Sequence, residues 1–120
     1  MSTPGRRQQR VSSLLQEALS RLLIREIQNL SKSLVTVTRV EVTADLMTAR
    51  VFLSFYGPDD PKTIIAILEK RTGFLRKALA SLVKLKYNPM LFFFLDPTPE
   101  YEQRIDQILE SAKKSSRGTN

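Results

Sequence analysis

Near the middle of the chain, the stretch Leu68-Glu69-Lys70-Arg71-Thr72-Gly73-Phe74-Leu75-Arg76-Lys77 sets one Thr-Gly pair among basic side chains, inside a pattern that is otherwise amphipathic and helical. Glycine within a helix costs about 1 kcal/mol relative to alanine, so Gly73 marks a place where the backbone bends or is closely approached. Lys70, Arg71, Arg76 and Lys77 make the approaching group an anion. The chemistry is then binding: backbone N–H groups, the Thr72 hydroxyl and mobile cations meeting phosphate oxygens. Lys84 and Lys86 downstream, and Arg6, Arg7 and Arg10 near the N-terminus, extend the set of candidate phosphate contacts.

Bond-breaking chemistry has few residues to work with. The chain has no Cys and no His, which removes thiol nucleophiles, Cys-His pairs, histidine acid-base catalysis and the usual zinc sites. The remaining candidates are carboxylates, Asp45, Asp96 and the Asp59-Asp60 pair, and each sits where a turn or helix cap is expected. No glycine-rich nucleotide loop occurs. No catalytic residue, metal or cofactor is therefore assigned, and a binding protein is expected rather than an enzyme. The absence of cysteine suits a reducing compartment such as the cytoplasm.

The 120 residues fit one domain and carry a net charge of +7 with a pI near 10.1. The distribution matters more than the total. Residues 1–32 hold +4 and residues 61–96 hold +5, whereas residues 33–60 hold −2 and residues 97–120 are balanced. Such clustering is the footprint of a nucleic-acid or anionic-surface binder, the bland alternative being an ordinary solvated basic face. The longest apolar run, Met90 to Leu95, is far too short to cross a bilayer. Arg6, Arg7 and Arg10 with Ser12 and Ser13 have some look of an organelle presequence, but Glu17 and Glu26 interrupt it.

The elements that must position these residues are legible in order. Residues 1–8 read as a flexible basic arm. Val11, Leu14, Leu15, Ala18, Leu19, Leu22, Leu23 and Ile27 then recur at helical spacing, with the pattern ending near Asn29 to Ser31. Val35 to Val42 and Thr48 to Tyr56 read as a β-hairpin, with Asp45 as a turn former in the connection. Gly57-Pro58-Asp59-Asp60-Pro61 stops the second strand and restarts a helix, Asp59 and Asp60 acting as caps and Pro61 standing at the first helical position. Two short helices follow on either side of Thr72-Gly73. Met90 to Leu95 is a third strand, apolar on both faces and so expected in the interior, with Pro89 at its start. Thr98 and Pro99 open a last helix with Tyr101, Ile105, Ile108, Leu109 and Ala112 on one face. Residues 9–112 thus form one domain, and residues 113–120 read as a disordered tail. Phe52, Phe55, Phe74, Phe92, Phe93 and Phe94 all fall in stripes that read as core, leaving no exposed aromatic platform.

The resulting order, α-β-β-α-kink-α-β-α with a three-stranded sheet, resembles a type II KH-like domain of the α+β class. The residues resemble the ribosome-binding factor A family over nearly the whole chain. The resemblance is carried by Gln9-Arg10-Val11, Arg25-Glu26-Ile27 and Val40-Glu41-Val42-Thr43-Ala44-Asp45-Leu46-Met47-Thr48-Ala49-Arg50-Val51. It continues through Gly73-Phe74-Leu75-Arg76, Leu85-Lys86-Tyr87-Asn88-Pro89-Met90-Leu91-Phe92-Phe93, Asp96 and Arg104-Ile105-Asp106-Gln107-Ile108-Leu109. In the family the Gly-x-x-Gly loop of KH domains is replaced by an alanine-x-glycine kink, for which this chain has Arg71-Thr72-Gly73.

The resemblance implies a monomeric, cytoplasmic assembly factor that binds the precursor small (30S) ribosomal subunit and its 16S rRNA. It further implies a role in late maturation and RNA processing, with importance in the cold. The residues themselves support a broader alternative, a generic RNA-binding module or anionic-surface binder without a ribosome role. With all the phenylalanines assigned to the core, recognition is expected to read RNA shape and backbone more than base sequence.

Overall fold

The computed structural model describes residues 5–96, so the expected last helix and the tail at 113–120 lie outside the described residues. The elements are α1 (Arg6–Gln28), β1 (Leu34–Val42), β2 (Thr48–Tyr56), α2 (Pro61–Lys70), α3 (Thr72–Leu82) and β3 (Met90–Leu95). This is an α+β arrangement in which the helices pack on one face of a three-stranded sheet.

α1 starts earlier than the sequence suggests. Arg6 and Arg7 stand in its first turn rather than in an arm. The reason is local: the Gln8 side chain accepts from the Gly5 N–H at 2.9 Å and donates to the Val42 carbonyl at 2.9 Å, closing the helix start and fastening it to the end of β1. Farther along, Leu15, Leu19, Leu23 and Ile27 are fully buried against β1 and α3, each side chain worth about 1.5–3 kcal/mol on removal from water.

The sheet order is β1-β2-β3, with β1 antiparallel to β2 and β2 parallel to β3. A parallel neighbour needs a crossover, and α2 with α3 provides it. Inward residues Val35, Val37, Val40, Ala49, Val51, Leu53, Leu91 and Phe93 meet the helices and form the core. β3 is therefore an edge strand and not an interior one. Its Leu91 and Phe93 are buried while Met90, Phe92 and Phe94 face out, because helices cover only one face of the sheet among the described residues. An apolar run on both faces reads as doubly covered, and here one of those faces is uncovered among the described residues.

The connections are held by specific contacts. In the β1–β2 turn, Asp45 Oδ1 accepts from the Thr43 hydroxyl at 2.6 Å and from the Met47 N–H at 3.0 Å. The Thr43 hydroxyl, with help from the Met47 N–H, holds the Asp45 carboxyl below its ordinary value of 3.8. Buried Leu46 takes the left-handed conformation at φ 62°, a strain offset by its burial. Asp60 caps α2 by accepting from the Lys62 N–H at 3.0 Å, with Pro61 next to it as expected. Asp59 does something else. Its carboxylate accepts from the Ser31 hydroxyl and the Lys32 N–H, and its own N–H donates to Ser33 Oγ at 3.1 Å, so it ties the α1–β1 loop to the β2–α2 loop. Gly57, at φ 150°, allows this closeness: a Cβ there would fall 2.5 Å from the Ser33 Cα.

Candidate nucleic-acid interface

The break between α2 and α3 is a single residue. Arg71, at φ −104° and ψ 13°, donates its N–H to the Leu68 carbonyl at 3.0 Å and accepts from the Leu75 N–H at 2.9 Å, so it closes one helix and opens the next. No side chain caps the start of α3. Its first N–H groups and the positive end of its dipole therefore have no side-chain partner, an arrangement suited to an anion. Gly73 lies in that first turn with an ordinary negative φ, and a Cβ built on it would meet nothing within 4 Å. The fold itself does not require glycine at this position. What its absent side chain gives is unobstructed access to the backbone.

The basic residues around Gly73 divide into two kinds. Lys70 and Lys77 are exposed, and both are available to an external anion. Arg71 and Arg76, expected as phosphate contacts, are largely committed to the protein. The Arg71 guanidinium sits 2.8 Å from the Glu26 carboxylate of α1 and 5.1 Å from the centre of the Phe74 ring. Arg76 donates from Nε to the Pro89 carbonyl at 3.0 Å and from Nη2 to the Asn88 carbonyl at 2.8 Å, while Asn88 returns a hydrogen bond to the Arg76 carbonyl. These two arginines position the elbow. A third tether comes from Glu69, whose carboxylate accepts the Phe93 N–H of β3 at 2.8 Å. Thr72 turns its hydroxyl back onto the Glu69 carbonyl at 3.1 Å. The elbow is thus locked to α1, to β3 and to the loop before β3, with Lys70, Lys77 and the start of α3 presented outward.

The other candidates fall elsewhere. Lys84 and Lys86 are exposed on the α3–β3 loop, Lys86 lying 5.4 Å from the Tyr87 ring centre. Arg6, Arg7 and Arg10 are exposed on the first turns of α1, about 24–30 Å along the helix from Glu26, the residue that touches the elbow. They form a second basic patch beside the end of β1, apart from the first.

The aromatic residues depart most from expectation. Phe93 is core, but Phe74, Phe92 and Phe94 are exposed, and Phe52 is half-buried with its ring stacked on that of Phe94. An aromatic surface is therefore present. The alternation of Arg50 with Phe52 in β2 and the unbroken Phe92-Phe93-Phe94 run held a signal for it, since alternate residues of an edge strand must point away from the core. Among the described residues no group of three or more carboxylates could hold a metal, and no helix is long and apolar enough to cross a membrane.

Comparison with known proteins fits this geometry. The crystal structure of ribosome-binding factor A from Thermus thermophilus superposes with a TM-score of 0.61 at 24% identity, over 73% of this chain and 94% of that one, so the fold is shared. The coordinates of the Thermus thermophilus factor as fitted into the cryo-electron-microscopy map of a complex with the 30S subunit give a TM-score of 0.54 at 27% identity, over 68% of this chain and 90% of that one. Ribosome-binding factor A of Carboxydothermus hydrogenoformans is 36% identical over 109 residues, 90% of this chain and 87% of that protein. The sequence profile described as Ribosome-binding factor A matches residues 7–109, a span that takes in all but the first residue of α1, the elbow and all three strands, and the chain accordingly belongs to the ribosome-binding factor A family.

Proposed function

We propose that this protein binds the small ribosomal subunit through its 16S rRNA, with the start of α3 and its flanking lysines as a phosphate-binding elbow. The observation that carries the reading is the elbow itself. An uncapped helix start, a glycine with open space around it and exposed Lys70 and Lys77 stand together on a rigid support. Family membership supplies the class of target, since the Thermus thermophilus relative is named in a complex with the 30S subunit. The protein acts as a monomeric, cytoplasmic factor on the precursor subunit, assisting late maturation and processing of the RNA, with greatest effect in the cold. It performs no catalysis of its own and needs no cofactor. On this reading the protein is a KH-like module in which a kink at Arg71, with Gly73 in the turn that follows, takes the place of the usual loop.

Co-sedimentation of the full chain with precursor and with mature small subunits, set against free RNA, tests this reading. Preferential association with the precursor is expected. Equal binding to any RNA would replace the ribosomal role with that of a generic RNA-binding module.

A further inference from the structure

The sheet face turned away from the helices is organised in rows. In the register of the strands, Arg39 stands opposite Phe52 and Phe52 opposite Phe94, and in the next outward row Glu41 stands opposite Arg50 and Arg50 opposite Phe92. The Phe52 and Phe94 rings are 5.5 Å apart between centroids, and the Arg39 guanidinium lies 4.0 Å from the Phe52 centroid. Phe92 and Phe94 each leave 43% of their surface exposed. Glu41 is shared by Arg39 at 3.4 Å and Arg50 at 3.8 Å, so one carboxylate faces two guanidinium groups and the rows keep a net positive charge.

We propose that this face stacks unpaired bases of RNA, as a surface separate from the elbow. The proposal rests on reading the protein as an RNA-binding factor. Every base offers a π-face to an aromatic ring, and arginine beside the ring adds both cation–π attraction and a partner for the adjoining phosphate. The two rows are about 6.7 Å apart along the strands, roughly twice the 3.4 Å rise of stacked nucleic acid, so the platform suits bases already unstacked from one another. An apolar protein partner fits less well. It would strip water from Arg39 and Arg50 with a single carboxylate between them, whereas a nucleic-acid strand brings its own anions.

The chain contains no tryptophan, so the indole of a Phe94→Trp variant is a unique reporter. With an unstructured eight-nucleotide RNA, the full-length Phe94→Trp protein should show quenched indole emission at saturation. Phe94→Ala and Phe52→Ala should bind that RNA between about fivefold and a hundredfold more weakly, with the salt dependence of binding unchanged. Lys70→Glu with Lys77→Glu in the Phe94→Trp background should flatten the salt dependence and still quench at saturation. Unquenched emission at saturation overturns the proposal. So do alanine variants that bind RNA like the parent but melt at lower temperature, since the face would then be covered by the protein itself. Quenching by the oligonucleotide in a protein that does not sediment with small subunits would support the stacking face while refuting the ribosomal reading.

Discussion

Gly73→Ala separates what the fold needs from what the ligand needs. Because the position is helical and the added methyl meets nothing, the variant should be more stable by up to about 1 kcal/mol in urea unfolding. The same methyl stands over the free start of α3, so association with small subunits should weaken. Stronger folding with undiminished binding would mean that the backbone at Gly73 is not contacted. Arg76→Ala should behave in the opposite sense: the Pro89 and Asn88 carbonyls lose their donor, and the protein should lose about 1–3 kcal/mol in the same unfolding measurement, with partial recovery in Arg76→Lys. The sequence pattern pointed to a bend at Gly73, whereas the bend lies two residues earlier at Arg71, whose neighbouring residues carried no sign of it. The division between Arg76, which is used by the fold, and Lys77, which is free, was not legible either, because charge in a sequence carries no direction and the acceptors lie in a loop 12 or 13 residues away.

Apart from the start of α1, strand and helix limits followed closely from turn chemistry and periodicity: Asp60-Pro61 opens α2 and Pro89 precedes β3 as expected. Periodicity could not say that β3 lies at an edge, since an apolar residue facing solvent and one facing a second layer look alike in sequence. Nor did it reveal that the loops at Ser33 and Gly57 touch. Gly57→Ala should therefore be costly, at least about 2 kcal/mol, because its φ of 150° is unsuited to a side chain and the Cβ would strike the Ser33 backbone. A clear fall in thermal midpoint checks this. The β1–β2 turn makes a smaller, pH-dependent contribution. Since the Asp45 carboxyl is held below its ordinary 3.8, its stabilising effect is present above that value and is lost as the pH falls through the lower folded-state value. Asp45→Asn should flatten the acid limb of a stability-against-pH curve, which urea midpoints taken at successive pH values would show.

Across the whole molecule, the charge is arranged in separate patches on a framework whose polar tethers are internal. The elbow and the α1 start lie at opposite ends of one long helix, and the aromatic face lies on the far side of the sheet from both. Such a molecule can touch RNA along several directions, with the elbow as the phosphate anchor. The most direct test is co-sedimentation with small subunits over a range of salt, for the wild-type chain and for Lys70→Glu with Lys77→Glu. Wild-type affinity should fall by orders of magnitude between low and moderately high salt, and the double reversal should greatly weaken association at low salt and flatten its salt dependence while leaving the circular-dichroism spectrum unchanged. Wild-type binding that is indifferent to salt, or a folded double variant that sediments with subunits as the wild type does, would contradict the account.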